Sequence, residues 1–404
     1  MKKKVIIIGG GAAGFFAAIN MAESSPDLEI TLLEKSSRVL EKVKVSGGGR
    51  CNITHACFDP KDLVKFYPRG EKELLGPFHQ FMTGDTMEWF EKRGVPLKIE
   101  TDNRVFPVSN SSQSVIDCLL NSANSLGVKL LLNQKVKDIT IDSGVFTVFC
   151  EDRKFRADSL LITTGSNPQI WKILENLGHH IITPVPSLFT FKISDVRLKD
   201  LAGLSVAKAT VSIPDTNFSV TGPVLVTHWG LSGPAILKLS ALAALYFAEK
   251  NYQTSILVNW NNDPEDAILS QLKNYKNSQP RKLVANKIGF EQIPNRLWLR
   301  FTEVLNISPQ LRWGEVSNDK LAQLAEQITK GVFLIDGKTT FKEEFVTAGG
   351  IDLKEIDFKR FESKIHNNLY FAGETLNIDA VTGGFNFQNA WTGAFIAAKA
   401  IASV

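Results

Sequence analysis

The chain has 404 residues, 44% of them apolar, and a nearly balanced charge of 46 basic against 42 acidic residues. This excludes a disordered chain and does not resemble the basic footprint of a nucleic-acid binder. Four scattered cysteines, with no CxxC pair and no Cys/His spacing suited to zinc, point to a reducing cytoplasm and to no bound metal.

The opening MKKKVIIIGGGAAGFFAAINMA has the outline of a signal peptide, with a basic start and an apolar run. Glycines break that run, and no other stretch reaches the ~18 apolar residues of a membrane helix. The segment reads instead as a β-branched strand, a glycine turn and an alanine-rich helix. Gly9, Gly11 and Gly14 have the spacing of a dinucleotide fingerprint: one glycine for the tight turn, one for approach of a pyrophosphate, one for helix–strand packing. The N-terminus of the helix favours the phosphate charge. A second strand, EITLLEK, ends at Glu34, where a carboxylate accepts hydrogen bonds from ribose hydroxyls.

About a dozen residues later comes KVKVSGGGRCNITH, residues 42–55. Gly47, Gly48 and Gly49 would let bare backbone pass along a flat ring, while Lys42, Ser46, Arg50 and Asn52 supply donors. Cys51 could meet a substrate, but free cysteine behaves as a small hydrophobe and the filler role is the better reading. ADSLLITTGS is a buried strand that closes on Thr164 and Gly165.

Residues 187–262 are short β-rich runs separated by turns, expected to form a small barrel or sandwich. A helix after Gly233 and Pro234 interrupts them. Residues 263–330 are helical, and strands return at 331–350. A β-domain carrying a helical lobe is therefore inserted between residues 1–186 and 351–404. Within it Trp229, Trp260, Trp298 and Trp313 are either pocket walls or ordinary core, with core favoured. His228, in THWGLSGP, is a weak candidate for a proton-handling group. The basic run NYKNSQPRKLVANK reads as a solvated helix face.

The closing NLYFAGETLNIDAVTGGFNFQNAWTGAFIAAKAIA is a strand over 369–372, a turn at Gly373 and Glu374, a glycine pair, and a helix from about Phe387. Glu374 is placed to bind ribityl hydroxyls. The helix opening at Gly384, Phe385, Asn386 and Gln388 would set backbone N–H groups against an anionic ring edge. Together the two ends describe a non-covalent FAD site. Ala12, Ala13, Lys35 and Val136 complete the expected cofactor contacts.

With these motifs, and with VTHWGLSGPAIL, VTAGGIDLKEID and ESK between them, the chain resembles the YhiN/BaiN-like family of FAD-binding flavoproteins from end to end. The resemblance implies an α/β fold: a Rossmann-like FAD domain of glutathione-reductase type, interrupted by an insert. It also implies oxidoreductase activity on a small organic substrate. One branch of that family is assigned reduction of steroid-type enones, and another carries an aminoacetone oxidase label. Here the Gly/Pro-rich loop usual after Thr-Thr-Gly is shortened to TTGSNPQIWKILENLGH, RFESK stands for TMESK and LNIDA for LDVDG. With one nucleotide unit committed to FAD, NAD(P)H would serve only as a transient visitor. An RNA-modifying flavoprotein and a non-catalytic redox protein are the competing expectations.

Overall fold

A computed structural model describes residues 2–287, 289–339 and 346–403. Two compact units are present: Met1–Val185 joined by Val346–Val404, and Pro186–Phe345.

The first unit is built on a seven-stranded sheet ordered Ile356–Asp357, Glu362–Ser363, Leu369–Phe371, Ser159–Ile162, Lys4–Ile8, Glu29–Leu33, Lys129–Leu131. From Leu369–Phe371 onward the strands are parallel. Lys4–Ile8 reads KVIII and Ser159–Ile162 reads SLLI, continuous runs with no polar alternation, because both of their faces are covered. The chain leaves Lys4–Ile8 toward Glu29–Leu33 on one side, and Ser159–Ile162 lies on the other. That makes the carboxyl end of Lys4–Ile8 a topological switch point. The register sets Ile8 beside Leu33 and Ile162, and Ile162 beside Phe371. Gly9, Glu34, Thr163 and Ala372 therefore open four loops at one edge of the sheet.

Helix Ala12–Ser24 packs along helix Phe385–Ala402. Both are rich in small residues and buried on nearly every side, so neither carries the polar face of a surface helix. Phe16 meets Trp391 between them at 5.1 Å. The C-terminal helix starts at Phe385, two residues earlier than the sequence pattern indicated, because Gly384 takes a left-handed cap conformation with φ +95°. An antiparallel trio, Thr54–His55, Arg104–Pro107 and Leu97–Ile99, supports the glycine-rich segment.

The second unit holds a closed barrel of Thr190–Lys192, Gly230–Ser232, Ser219–Val226, Ser205–Ser212, Gln253–Asn259 and Gly331–Thr339. Its core joins that of helices Glu265–Ser278, Asn295–Val304 and Asn318–Thr329 in one apolar cluster. Trp260, Trp298 and Trp313 are wholly buried there, each covering ~150–250 Å². Trp229 stands apart and is 54% exposed.

Candidate functional site

At the switch point the glycines have distinct reasons to be glycine. Gly9 has φ +116°, and a Cβ there would lie 2.6 Å from Thr163 O. A Cβ on Gly14 would lie 2.0 Å from Gly9 O, so the helix approaches the turn as only glycine allows. A Cβ on Gly11 would meet nothing within 4 Å. Space is open at Gly11, where the first-turn N–H groups of Ala12 and Ala13 have no intrahelical partner.

Glu34 is held beside this turn. One carboxylate oxygen accepts from Gly10 N at 2.8 Å, and the other from Ser36 N at 2.9 Å and Ser36 Oγ at 3.0 Å. Lys35 points to solvent. Gln134 N donates to Glu34 O at 2.8 Å, which brings the 134–136 segment alongside. Val136 is buried there, its carbonyl accepting from Gln169 Nε2 at 3.1 Å. On the neighbouring strand Thr163 Oγ1 donates to Gly9 O at 2.9 Å, and Gly165 takes φ +61°. Lys42 and Glu374 pair across this edge at 2.5 Å, next to the turn at Gly373.

The triple glycine is not a slack loop. The helical turn from Glu41 breaks at Ser46, whose ψ is 149°, and Gly47, Gly48, Gly49 and Cys51 then all take positive φ. A Cβ on Gly47 would strike Asn52 N and Phe106 at 2.9 Å, whereas Gly48 and Gly49 look into open space. Ser46 Oγ donates to Val43 O at 2.9 Å. Arg50 stacks over Phe106 at 3.9 Å and pairs with Glu100 at 2.7 Å. Cys51 is fully buried, and burial pushes its thiol up to about 12, so it is a filler rather than a nucleophile. His228 is an exposed residue in the turn closed by Thr227 and Gly230 of the second unit.

The two ends of the chain meet in the first unit. A Cβ on Gly384 would lie 2.6 Å from Thr54 O and 2.9 Å from Asn52 Oδ1. Trp391 Nε1 donates to Ile53 O at 3.0 Å, and Thr54 Oγ1 to Gln388 Oε1 at 2.6 Å. Gln388 is wholly buried and also accepts from Thr86 and donates to Thr392, so its amide braces these elements. Asn386 likewise braces Ala380 through both amide atoms, at 2.9 and 3.2 Å. Phe385 is buried and stacks on Phe66 at 4.2 Å.

Several residues at this end carry no signal in the sequence. His55 Nδ1 lies 3.2 Å from Gly383 O, with its ring 4.5 Å from that of Phe385. Tyr67 Oη donates to Phe385 O at 2.6 Å. The guanidinium of Arg69 grips buried Asp379 bidentately. These contacts fix the loop that leads into the C-terminal helix. Only spatial proximity reveals them, since 310 residues separate Arg69 from Asp379.

The residues fit a dinucleotide cofactor. Asn52 Oδ1 and Thr164 Oγ1 are buried polar atoms without a partner among the described residues, and both lie in segments of this edge. Such atoms are costly to leave unmet. Open space over Gly11, Gly48 and Gly49, an anchored acid at Glu34 and a helix N-terminus after Gly384 complete the cradle. Among the described residues, no group of His, Cys, Asp or Glu could hold a metal ion, and no helix is long and apolar enough to cross a membrane.

The sheet order, the switch-point turn and the barrel define the class: an α/β protein with a Rossmann-type domain of the FAD oxidoreductase fold. Residues 3–400 match the HI0933-like protein Rossmann domain, and the chain belongs to that HI0933-like family. The resemblance to YhiN/BaiN-like flavoproteins and the expected fold class both hold.

Relatives include a ribosomal RNA dihydrouridine synthase of Escherichia coli (strain K12), 26% identical over 92% of this chain and 91% of its own length. One of the same name from Haemophilus influenzae is 26% identical, with 96% of each chain covered. A 3-dehydro-bile acid delta(4,6)-reductase of Clostridium scindens is 24% identical over 96% of this chain and 97% of its own. Among solved structures, the fold is shared with a 3-ketosteroid-delta4-(5alpha)-dehydrogenase of Rhodococcus jostii RHA1. That match has a TM-score of 0.53 at 12% identity, and covers 99% of this chain and 97% of the other.

Proposed function

We propose that the protein is an FAD-dependent oxidoreductase that reduces a carbon–carbon double bond conjugated to a carbonyl, and that its substrate is a uracil base in ribosomal RNA. The observation that carries the FAD assignment is the meeting of Asn52 with Gly384 beside an open left-handed glycine turn, both ends of the chain framing one cradle. Glu34 and Glu374 would hold hydroxyl groups of the cofactor. The N–H groups of Ala12 and Ala13 would meet its phosphates, and those after Gly384 the anionic edge of its ring.

The relatives support a reductive direction for the chemistry. A uracil and a dehydro-bile acid share one electronic pattern, an alkene polarised by a carbonyl. Reduced FAD held by these residues would be the source of a hydride for the carbon remote from the carbonyl, with a proton needed at the adjacent carbon. The task of this chain is to orient that alkene, exclude water and hold the negative charge that develops. His55 stands at the Gly383 end of the cradle, its Nδ1 3.2 Å from Gly383 O.

Uracil is preferred because two relatives of that name align along nearly the whole chain. A free enone is the second reading, favoured by the bile-acid reductase and by the nearly balanced total charge. The test is to delete the gene and measure dihydrouridine in ribosomal RNA by mass spectrometry. The purified protein is then assayed with a ribosomal RNA transcript and with a steroid dienone, with NADH or NADPH as reductant. Loss of dihydrouridine on deletion and its formation in vitro support the first reading; dienone turnover with unchanged RNA supports the second. A colourless protein that binds no FAD overturns both.

A further inference from the structure

The near-neutral total charge hides a local asymmetry in the second unit. Between residues 270 and 312 the only acids are Glu291 and Glu303, and each is engaged. Glu291 caps Gly289 N at 3.1 Å and Glu303 pairs with Arg300 at 2.6 Å. Lys273, Arg281, Lys282 and Arg312 are exposed, and none forms an ion pair among the described residues.

These cations are not strewn along a loop. Leu283 bridges Arg312, Trp313 N donates to Lys282 O at 2.9 Å, and Gly314 N donates to Pro280 O at 3.0 Å. The antiparallel pairing brings 281–282 beside 312. Helix Glu265–Ser278 extends the row. Lys276 donates to Val316 O at 2.7 Å, and Lys273 lies one turn before it on the same face. Glu315, the carboxylate that follows Arg312, accepts from Arg312 N at 2.9 Å. Beneath the row Trp298 and Trp313 are fully buried, so the cations stand on a rigid floor.

We infer that this ridge is an RNA-binding surface of the helical lobe, taking the phosphodiester backbone of a folded RNA. Arginine and lysine held on a packed surface without carboxylate partners suit phosphate oxygens, whose counterions they release on binding. Contacts of this kind position a nucleic acid without reading its sequence, leaving base selection to the cofactor cradle. The inference rests on the uracil reading above. On this inference the run 274–287 does more than form a solvated face, and total charge is a poor guide to it.

The test measures binding of a fluorescent ribosomal RNA transcript by anisotropy across a salt series. It uses the full-length protein, the double variant R281E/R312E, and K172E as a single charge-reversal control on the first unit. FAD content and thermal midpoint are recorded for each. The double variant should lose at least about tenfold in affinity, with a salt slope shallower by about one to two, while K172E binds as the parent does. Retained FAD in R281E/R312E shows that the fold survives. If that variant has lost its FAD, K273A/K282A repeats the measurement without charge reversal. Equal binding by parent and both ridge variants overturns the surface and leaves the uracil reading standing. So does a parent that binds no transcript although deletion strips dihydrouridine from the ribosome. Absent binding together with unchanged dihydrouridine overturns both. Preference for anionic phospholipid vesicles over the transcript would also overturn the RNA assignment.

Discussion

Lys42 Nζ lies 2.5 Å from Glu374 Oε2, although 332 residues separate the two in the chain. Lys42 is largely exposed and Glu374 mostly shielded, with side-chain accessibilities of 62% and 16%. Exposed pairs of this kind are worth ~0–1 kcal/mol. The carboxylate, not the bridge, should therefore matter for FAD. Glu374→Gln is expected to lower FAD affinity about tenfold by weakening its charge-assisted hydrogen bonds. Lys42→Ala should change affinity by less than about threefold. Equilibrium dialysis of apoprotein against FAD measures both, and a larger loss in Lys42→Ala than in Glu374→Gln would refute the assignment.

Glu34 serves two purposes, and its removal should show both. It would bind ribose hydroxyls, and it also accepts from Gly10 N and Ser36 N, which shape the glycine turn. Glu34→Ala is expected to cost at least tenfold in FAD affinity, since a hydrogen bond to a charged group contributes ~1.5–3 kcal/mol. The apoprotein should also melt lower, because two backbone donors lose their acceptor. Glu34→Gln keeps an acceptor for one of them and should recover part of the melting loss. A melting temperature unchanged in Glu34→Ala would show that water replaces the carboxylate at the turn.

These two acids stand out in the sequence because Glu34 directly follows one short apolar strand and Glu374 lies in the turn after another, and strand ends at a switch point are where this fold places ligands. The three glycines of the turn were legible for the same reason, through local spacing. The supports were not. Arg69 with Asp379, Tyr67 with Phe385 and His55 with Gly383 are joined only by tertiary folding, and no periodicity links them. The roles of the Gln388 and Asn386 side chains were likewise not legible: their amides turn inward to brace Thr54 and Ala380. Total charge averages over the chain, so it does not register the clustering of cations in the helical lobe.

Cys51 offers a test at high pH. Burial pushes its thiol up to about 12 from an ordinary 9.0. The folded state thus keeps this proton between pH 9 and about 12 while the unfolded state releases it. Its contribution is whole below pH 9 and is lost as pH rises toward 12. Cys51→Ala should show a shallower loss of melting temperature from pH 8.5 to 10.5 than the parent. Iodoacetamide at pH 8 should leave Cys51 unlabelled in the folded protein and label it after denaturation. Rapid labelling of the native protein would restore Cys51 as a reactive candidate.

His179 predicts the opposite dependence. Burial lowers its pKa from 6.5, against the opposing pull of Glu355, which lies 2.9 Å from Nδ1; Ser363 Oγ lies 3.2 Å from Nε2. Below pH 6.5 the unfolded state takes up a proton that the folded state resists. Stability present above that pH is therefore lost as pH falls. Urea midpoints between pH 7.5 and 5 should decline, and His179→Asn should flatten the decline while lowering stability at pH 7.5. A parent midpoint that rises on acidification would contradict this sign.

Gly384 gives the sharpest test of how the two chain ends frame the cradle. Its φ is +95°, and a side chain there would press within 2.6 Å of Thr54 O and 2.9 Å of Asn52 Oδ1. The Thr54 contacts are backbone, which cannot swing aside as a side chain can. Gly48 has φ +68° but faces open space, so a side chain there meets only conformational strain of ~1–2 kcal/mol and whatever the cradle holds. Gly384→Val should therefore abolish FAD retention by displacing the helix start, and supplying excess FAD should not rescue it. Gly48→Ala should fold and should weaken FAD binding in proportion to how closely the ring passes. The 450 nm to 280 nm absorbance ratio of each purified variant, read with near-ultraviolet circular dichroism, separates lost cofactor from lost fold. Stoichiometric FAD in Gly384→Val would mean that the ends of the chain meet away from the cofactor, and the glycine pair would then be only a turn.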